Sequence, residues 1–160
     1  MTDDATTLSR QETLTHIASV QTRMEQAIDD LKARANRHDL SKLKEPELSG
    51  FAHAKQRLAG AVYGTPGYQA LLDEHRPIIQ QHYAVNDHHP EHYKEGIDGM
   101  SLLSVLEMLC DWKAAGERTK DGSMARSLKV NIVRFGIDEQ LAGLLLNTAS
   151  ALGWLEGERP

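Results

Sequence analysis

Residues 101–115 read SLLSVLEMLCDWKAA. Gly96 and Gly99 mark a loop just before them, and Ser101 stands where a helix N-terminus needs a side-chain oxygen to accept from its unpaired amides. The stretch is therefore expected to form an apolar helix. It carries Asp111, and a lone carboxylate in such company is costly to bury unless it is paired, hydrogen-bonded or bound to a cation. The fold class and the first functional clue lie in the same stretch.

Outward from there the chain reads as further helices and almost no strands. Residues 10–35 carry Leu14, Ile17, Ala18, Met24, Ala27, Ile28 and Leu31 at spacings of three, four and seven, which predicts an amphipathic helix with one buried face. Pro46 suits the first turn of a helix over about 46–59, because proline lacks only an N–H that is unpaired there anyway. YGTPGY, residues 63–68, breaks the pattern. A helix over 68–85 follows, with Pro77 as a kink or restart. TKDGS, residues 119–123, is the next turn, and two more helices span 123–135 and 138–153, the last opening on Asp138 as a cap and ending near Gly153. The expectation is an all-α fold, a single domain over 1–160 forming one bundle of about six helices, with residues 1–9 flexible. Trp112 and Trp154 are expected in the core or at an interface.

Composition narrows the setting. At 160 residues and 40% apolar the chain fits one domain with one core. No run of about eighteen apolar residues occurs, so no membrane span is expected. The polar, partly acidic start MTDDATTLSRQE is unlike a secretory signal, and the lone Cys110 in an apolar run agrees with a reducing compartment, so a cytoplasmic location is expected. A formal charge of −5 gives no general attraction to extended nucleic acid.

Five of the eight histidines, His38, His82, His88, His89 and His92, lie in or near two short stretches: HDLSK at 38–42 and NDHHPEH at 86–92. His16 falls at the edge of the expected buried face of the first helix. Mixed imidazoles and carboxylates suit zinc, iron, manganese or nickel over calcium or magnesium. Several residues have two readings. His82 is either a ligand or a helix-end residue favoured by the dipole, and His88 and His89 are either functional or a solvated loop. Lys42 either meets a phosphate or is solvated. Glu107 either orients a ligand histidine or pairs with a basic residue, and Asn86 either bonds a substrate or forms a turn.

The order of a histidine, a His-Asp doublet, further histidines and a late aspartate resembles the HD-domain metal-dependent phosphohydrolases, an all-α superfamily. The resemblance implies His16, His38, Asp39 and Asp111 as ligands of a divalent ion, with His82 or His89 serving a second ion and Asp39 bridging the two. HDLSK is similar to the HD-x-G-K form, whose lysine approaches a substrate phosphate, with Ser41 in place of the glycine. HHPEHYKEGIDG is loosely similar to a double-histidine loop of that superfamily, but the Gly-Tyr-Pro that usually follows is missing, so cyclic dinucleotide cleavage is not implied. The chain also resembles a small phage and bacterial family with H-D-x-S-K, N-x-H-H and E-M-x-x-D-W, here at 38–42, 86–89 and 107–112, a likeness covering roughly residues 10–150.

The implied activity is metal-assisted hydrolysis of a phosphorylated small molecule, a nucleotide by analogy. Lys42, with His82 or His88, would neutralise charge on the phosphate and assist proton transfer. An HD-type di-iron oxygenase and a catalytically inactive metal- or nucleotide-binding regulatory module are the alternatives. Self-association as a homo-oligomer is left open.

Overall fold

The computed structural model describes residues 2–58, 66–118 and 122–155. Among them every regular element is helical. The α-helices are α1 (Thr2–Arg37), α2 (Glu47–Leu58), α3 (Pro66–Val85), α4 (Leu102–Glu117), α5 (Met124–Phe135) and α6 (Glu139–Ala151), with short 3-10 turns at Leu40–Leu43, Pro90–His92 and Gly96–Gly99. The all-α expectation therefore holds. No helix among the described residues is long and apolar enough to cross a membrane. The turn expected at YGTPGY falls partly on residues 63–65, the one at TKDGS partly on 119–121, and the end expected for the second helix on 59; these lie outside the described residues.

The caps explain where the helices of the second half begin. Ser101 Oγ accepts from the Ser104 amide at 3.1 Å, Ser123 Oγ from the Arg126 amide at 3.2 Å, and Asp138 Oδ1 from the Leu141 amide at 2.8 Å. At its other end α5 stops on Gly136, whose φ of 61° costs a residue without Cβ little. Pro77 stays inside a continuous α3.

The chain divides into two compact units, Met1–Arg37 and His38–Pro160. The first is the single helix α1, and here the structure departs from the sequence pattern. Its expected buried face is exposed: Leu14, Ile17, Met24 and Ile28 all show 45% or more of their surface. A lone helix has no second element within its own unit against which to bury a stripe. It also begins at Thr2 and not near residue 10.

In the second unit the core lies among α4, α5 and α6. Val105, Met108 and Leu109 of α4 meet Met124 and Leu128 of α5, Ile137, and Leu145 and Ala149 of α6. Trp112 and Trp154 pack against this core, as expected, and Trp112 stacks on Phe135 with ring centroids 6.1 Å apart. Helices α2 and α3 form a second layer. Gly50 permits their close approach, since a Cβ there would fall 2.7 Å from Ile78 Cγ1. The layer carries Glu47 at the start of α2 and His82 near the end of α3.

Truncating the core should cost far more than truncating the surface. Leu128→Ala, at 1% exposure, is expected to destabilise by about 2–5 kcal/mol, and Val133→Ala, at 80%, by less than about 0.5 kcal/mol. Urea unfolding of both variants checks this; equal losses would misplace the core.

Candidate metal centre

The site begins where α1 has ended. Asp39 caps the turn Leu40–Leu43 with φ 57° and ψ 12°, and it is the one non-glycine residue at positive φ among those described. Aspartate tolerates this left-handed conformation better than most residues, and held strain of this kind gathers at functional sites. The turn is closed by the Lys42 amide donating to the Asp39 carbonyl at 2.9 Å. The conformation sends the carboxylate of Asp39 among residues contributed by three other segments.

Those segments are α3, the loop after it, and α4. His82 Nε2 lies 3.2 Å and His88 Nε2 3.7 Å from Asp39 Oδ1, while His82 Nε2 and His89 Nε2 are 3.0 Å apart. His38 Nε2 is 3.7 Å from Asp39 Oδ2 and 3.7 Å from Asp111 Oδ1. Two sets of donor atoms converge closely enough to hold an ion: Asp39, His82, His88 and His89 in one, His38, His88 and Asp111 in the other, each within 4.8 Å. Ligands at about 2.0–2.2 Å from a common ion lie within roughly 4.4 Å of one another, so the sets need only tighten slightly. The doublet and Asp111 do come together, as expected.

Carboxyl groups outside these sets orient the imidazoles. Glu107 Oε1 lies 2.9 Å from His38 Nδ1 and 3.4 Å from His88 Nδ1. Glu47 Oε2 lies 2.9 Å from His82 Nδ1. With an ion bound, a proton held on each Nδ1 would leave the Nε2 lone pair facing it, the arrangement in which metal-ligating histidines are commonly held. The contacts of Glu107 with His38 and His88 fit the reading in which it orients a histidine.

Burial separates the sequence candidates. His82 and His88 are each 2% exposed, which excludes the solvated-loop reading of His88 and the exposed helix-end reading of His82. Asp111 is only half-buried, with 29% of its side chain exposed, because α4 turns it toward the site and away from the core. Asn86 Nδ2 donates to Ser41 Oγ at 2.9 Å and to the His82 carbonyl at 2.8 Å, so it braces a histidine. Lys42 Nζ is 2.6 Å from Asp39 Oδ2, in an ion pair with a member of the set. His16 lies exposed on α1, in the other compact unit. Cys110 is exposed.

Glu47 is the residue of this cluster that the sequence does not reveal. An acid just after Pro46 in a helix first turn looks like ordinary dipole complementation. Its burial to 2% is decided by packing of α2 on α3.

The electrostatics follow from this crowding. The Asp111 carboxylate beside His38, helped by Glu107 and Asp39 and opposed by burial, raises the His38 pKa to about 9. Burial works against ionisation of Asp39, yet His82 and Lys42 beside it hold its carboxyl well below the usual range. Asp111 is also lowered, by His38 against the cost of burial. Burial first, then neighbouring histidines, lowers His88 and brings His89 down to about 3.

The chain matches, over residues 6–151, a family of unknown function (DUF5662), and it belongs to that family. No curated protein and no solved structure matches it.

The shifts predict a stability maximum near neutral pH for the ion-free protein. The stabilisation from His38 is full below 6.5, its ordinary value, and is lost as pH rises through about 9. For His89 the sign is reversed: its contribution is full above 6.5 and is lost as pH falls toward about 3. Melting temperature against pH should therefore fall on both sides, with His38→Gln flattening the alkaline limb and His89→Gln the acid one. An unchanged alkaline limb in His38→Gln would contradict the assignment.

Proposed function

We propose that the chain holds a divalent transition-metal ion on Asp39, His82, His88 and His89, with His38 and Asp111 beside them, and hydrolyses a phosphate ester of a small molecule, a nucleotide by analogy. One observation carries this reading. Asp39 Oδ1 and His88 Nε2 are buried, have no hydrogen-bond partner, and lie 3.7 Å apart. An orphaned buried polar atom is costly, and two facing each other fit a shared cation. The imidazole-rich donor set favours zinc, iron, manganese or nickel. The two sets share His88, whose Nδ1 is turned to Glu107; its single inward lone pair can serve one ion at a time, whether the site takes one ion or two.

The order His38-Asp39 and later Asp111 supports an HD-type reading of this donor set. When bound, the ion would lower the pKa of a coordinated water toward neutrality and polarise a phosphoryl oxygen. The chain's own residues supply the rest. His82 and His88 are too enclosed to meet a substrate and serve better as ligands than as acid–base groups. Lys42, with 38% of its side chain exposed, is the cation that can reach a phosphate, exchanging Asp39 for the charge that develops on it. Glu107 holds His38 and His88 in register.

Metal quantification on the purified protein, then a phosphatase screen across nucleotides, cyclic nucleotides and generic esters, tests the proposal. Asp39→Ala should lose ion and hydrolysis together with helical content unchanged by circular dichroism; full metal content in that variant contradicts the ligand set. Lys42→Ala should keep the ion and lose on the order of ten- to a thousandfold in turnover, roughly 1.4–4 kcal/mol. An unchanged rate on a confirmed substrate would remove Lys42 from the chemistry.

A further inference from the structure

We infer that Glu47 is a positioning residue that keeps the proton of His82 on Nδ1 and so aims its Nε2 lone pair at the ion. The inference rests on the metal reading above. Glu47 and His82 are each 2% exposed, and no bulk water competes for the contact between Oε2 and Nδ1 at 2.9 Å. A carboxylate can only accept, which leaves the shared hydrogen on the imidazole.

Two further residues lock the pair. Ser41 Oγ donates to the same Glu47 oxygen at 2.8 Å and accepts from Asn86 Nδ2 at 2.9 Å. Asn86 Nδ2 also donates to the His82 carbonyl at 2.8 Å; it lies 2.9 Å from His82 Nδ1 as well, but with both its hydrogens given to Ser41 Oγ and that carbonyl it has none for the ring nitrogen, whose own hydrogen goes to Glu47. Each hydroxyl and amide hydrogen in this group therefore has an assigned acceptor, and the arrangement is directional. Ser41 also explains the third position after His38 in HDLSK: a glycine there would leave Glu47 and Asn86 without their common partner. On the far side of the ring, Nε2 faces Asp39 Oδ1 at 3.2 Å and His89 Nε2 at 3.0 Å, the atoms that would share the ion.

The test is Glu47→Gln, which keeps the shape and removes the anionic acceptor, with Glu47→Ala as the more severe change. Nitrogen-detected NMR should find wild-type His82 protonated on Nδ1, in zinc-loaded protein and in metal-free protein at pH 8, and an Nε2–H form appearing in Glu47→Gln. Zinc affinity should fall about tenfold in Glu47→Gln and about a hundredfold in Glu47→Ala, beyond any change in melting temperature. A folded Glu47→Gln protein with wild-type zinc affinity and no change in the Nδ1 proton of His82 overturns the inference. Should Glu47→Ala fail to fold, Glu47→Gln decides. Should wild type bind no zinc, the metal reading fails, and the tautomer in the metal-free protein alone decides whether Glu47 directs His82.

Discussion

Asp39 is held in a left-handed backbone conformation, and that constraint delivers its carboxylate between histidines from α3, the following loop and the start of its own turn. The side chains nearest it divide between its two oxygens. Lys42 pairs with one of its oxygens, while His82 and His88 face the other. Moving Asp39 to an ordinary helical conformation would rotate its side chain away from these groups, leaving an enclosed set of imidazoles with no anion at its centre.

Four carboxyl groups, those of Asp39, Glu47, Glu107 and Asp111, crowd four imidazoles at this point, and Lys42 pairs with the first of them. The Asp111 carboxylate beside His38, with Glu107 and Asp39, raises the His38 pKa to about 9. Burial keeps His88 and His89 from taking up protons in the same way. A divalent cation among the Nε2 atoms would offset the crowded carboxylates without protonating buried imidazoles. The same crowding thus accounts for opposite pKa shifts among histidines a few ångströms apart.

Much of this was legible in residue order. Ser101, Ser123 and Asp138 mark helix starts because capping is local chemistry, settled within three residues of the chain. The approach of His38 to Asp111 was legible because a polar residue in SLLSVLEMLCDWKAA needs a partner. Glu47 was not, since its burial depends on Gly50 admitting Ile78 and so on the fit of two helices. Nor was the exposure of α1, whose apolar spacing is that of a buried helix although its own unit offers nothing to cover it. Periodicity records that a face is apolar and not what covers it. The paired state of Lys42 was equally hidden, because it follows from the dihedral angles of Asp39.

The central claim is that the Nε2 atoms and the Asp39 carboxylate surround a cation. Anomalous diffraction from crystals grown with zinc, recorded on both sides of its absorption edge, tests this most directly. The account predicts a peak about 2.0–2.2 Å from Asp39 Oδ1 and from the Nε2 atoms of His82 and His88. Well-ordered side chains with no anomalous peak among them, at zinc concentrations that saturate ordinary histidine sites, would contradict it.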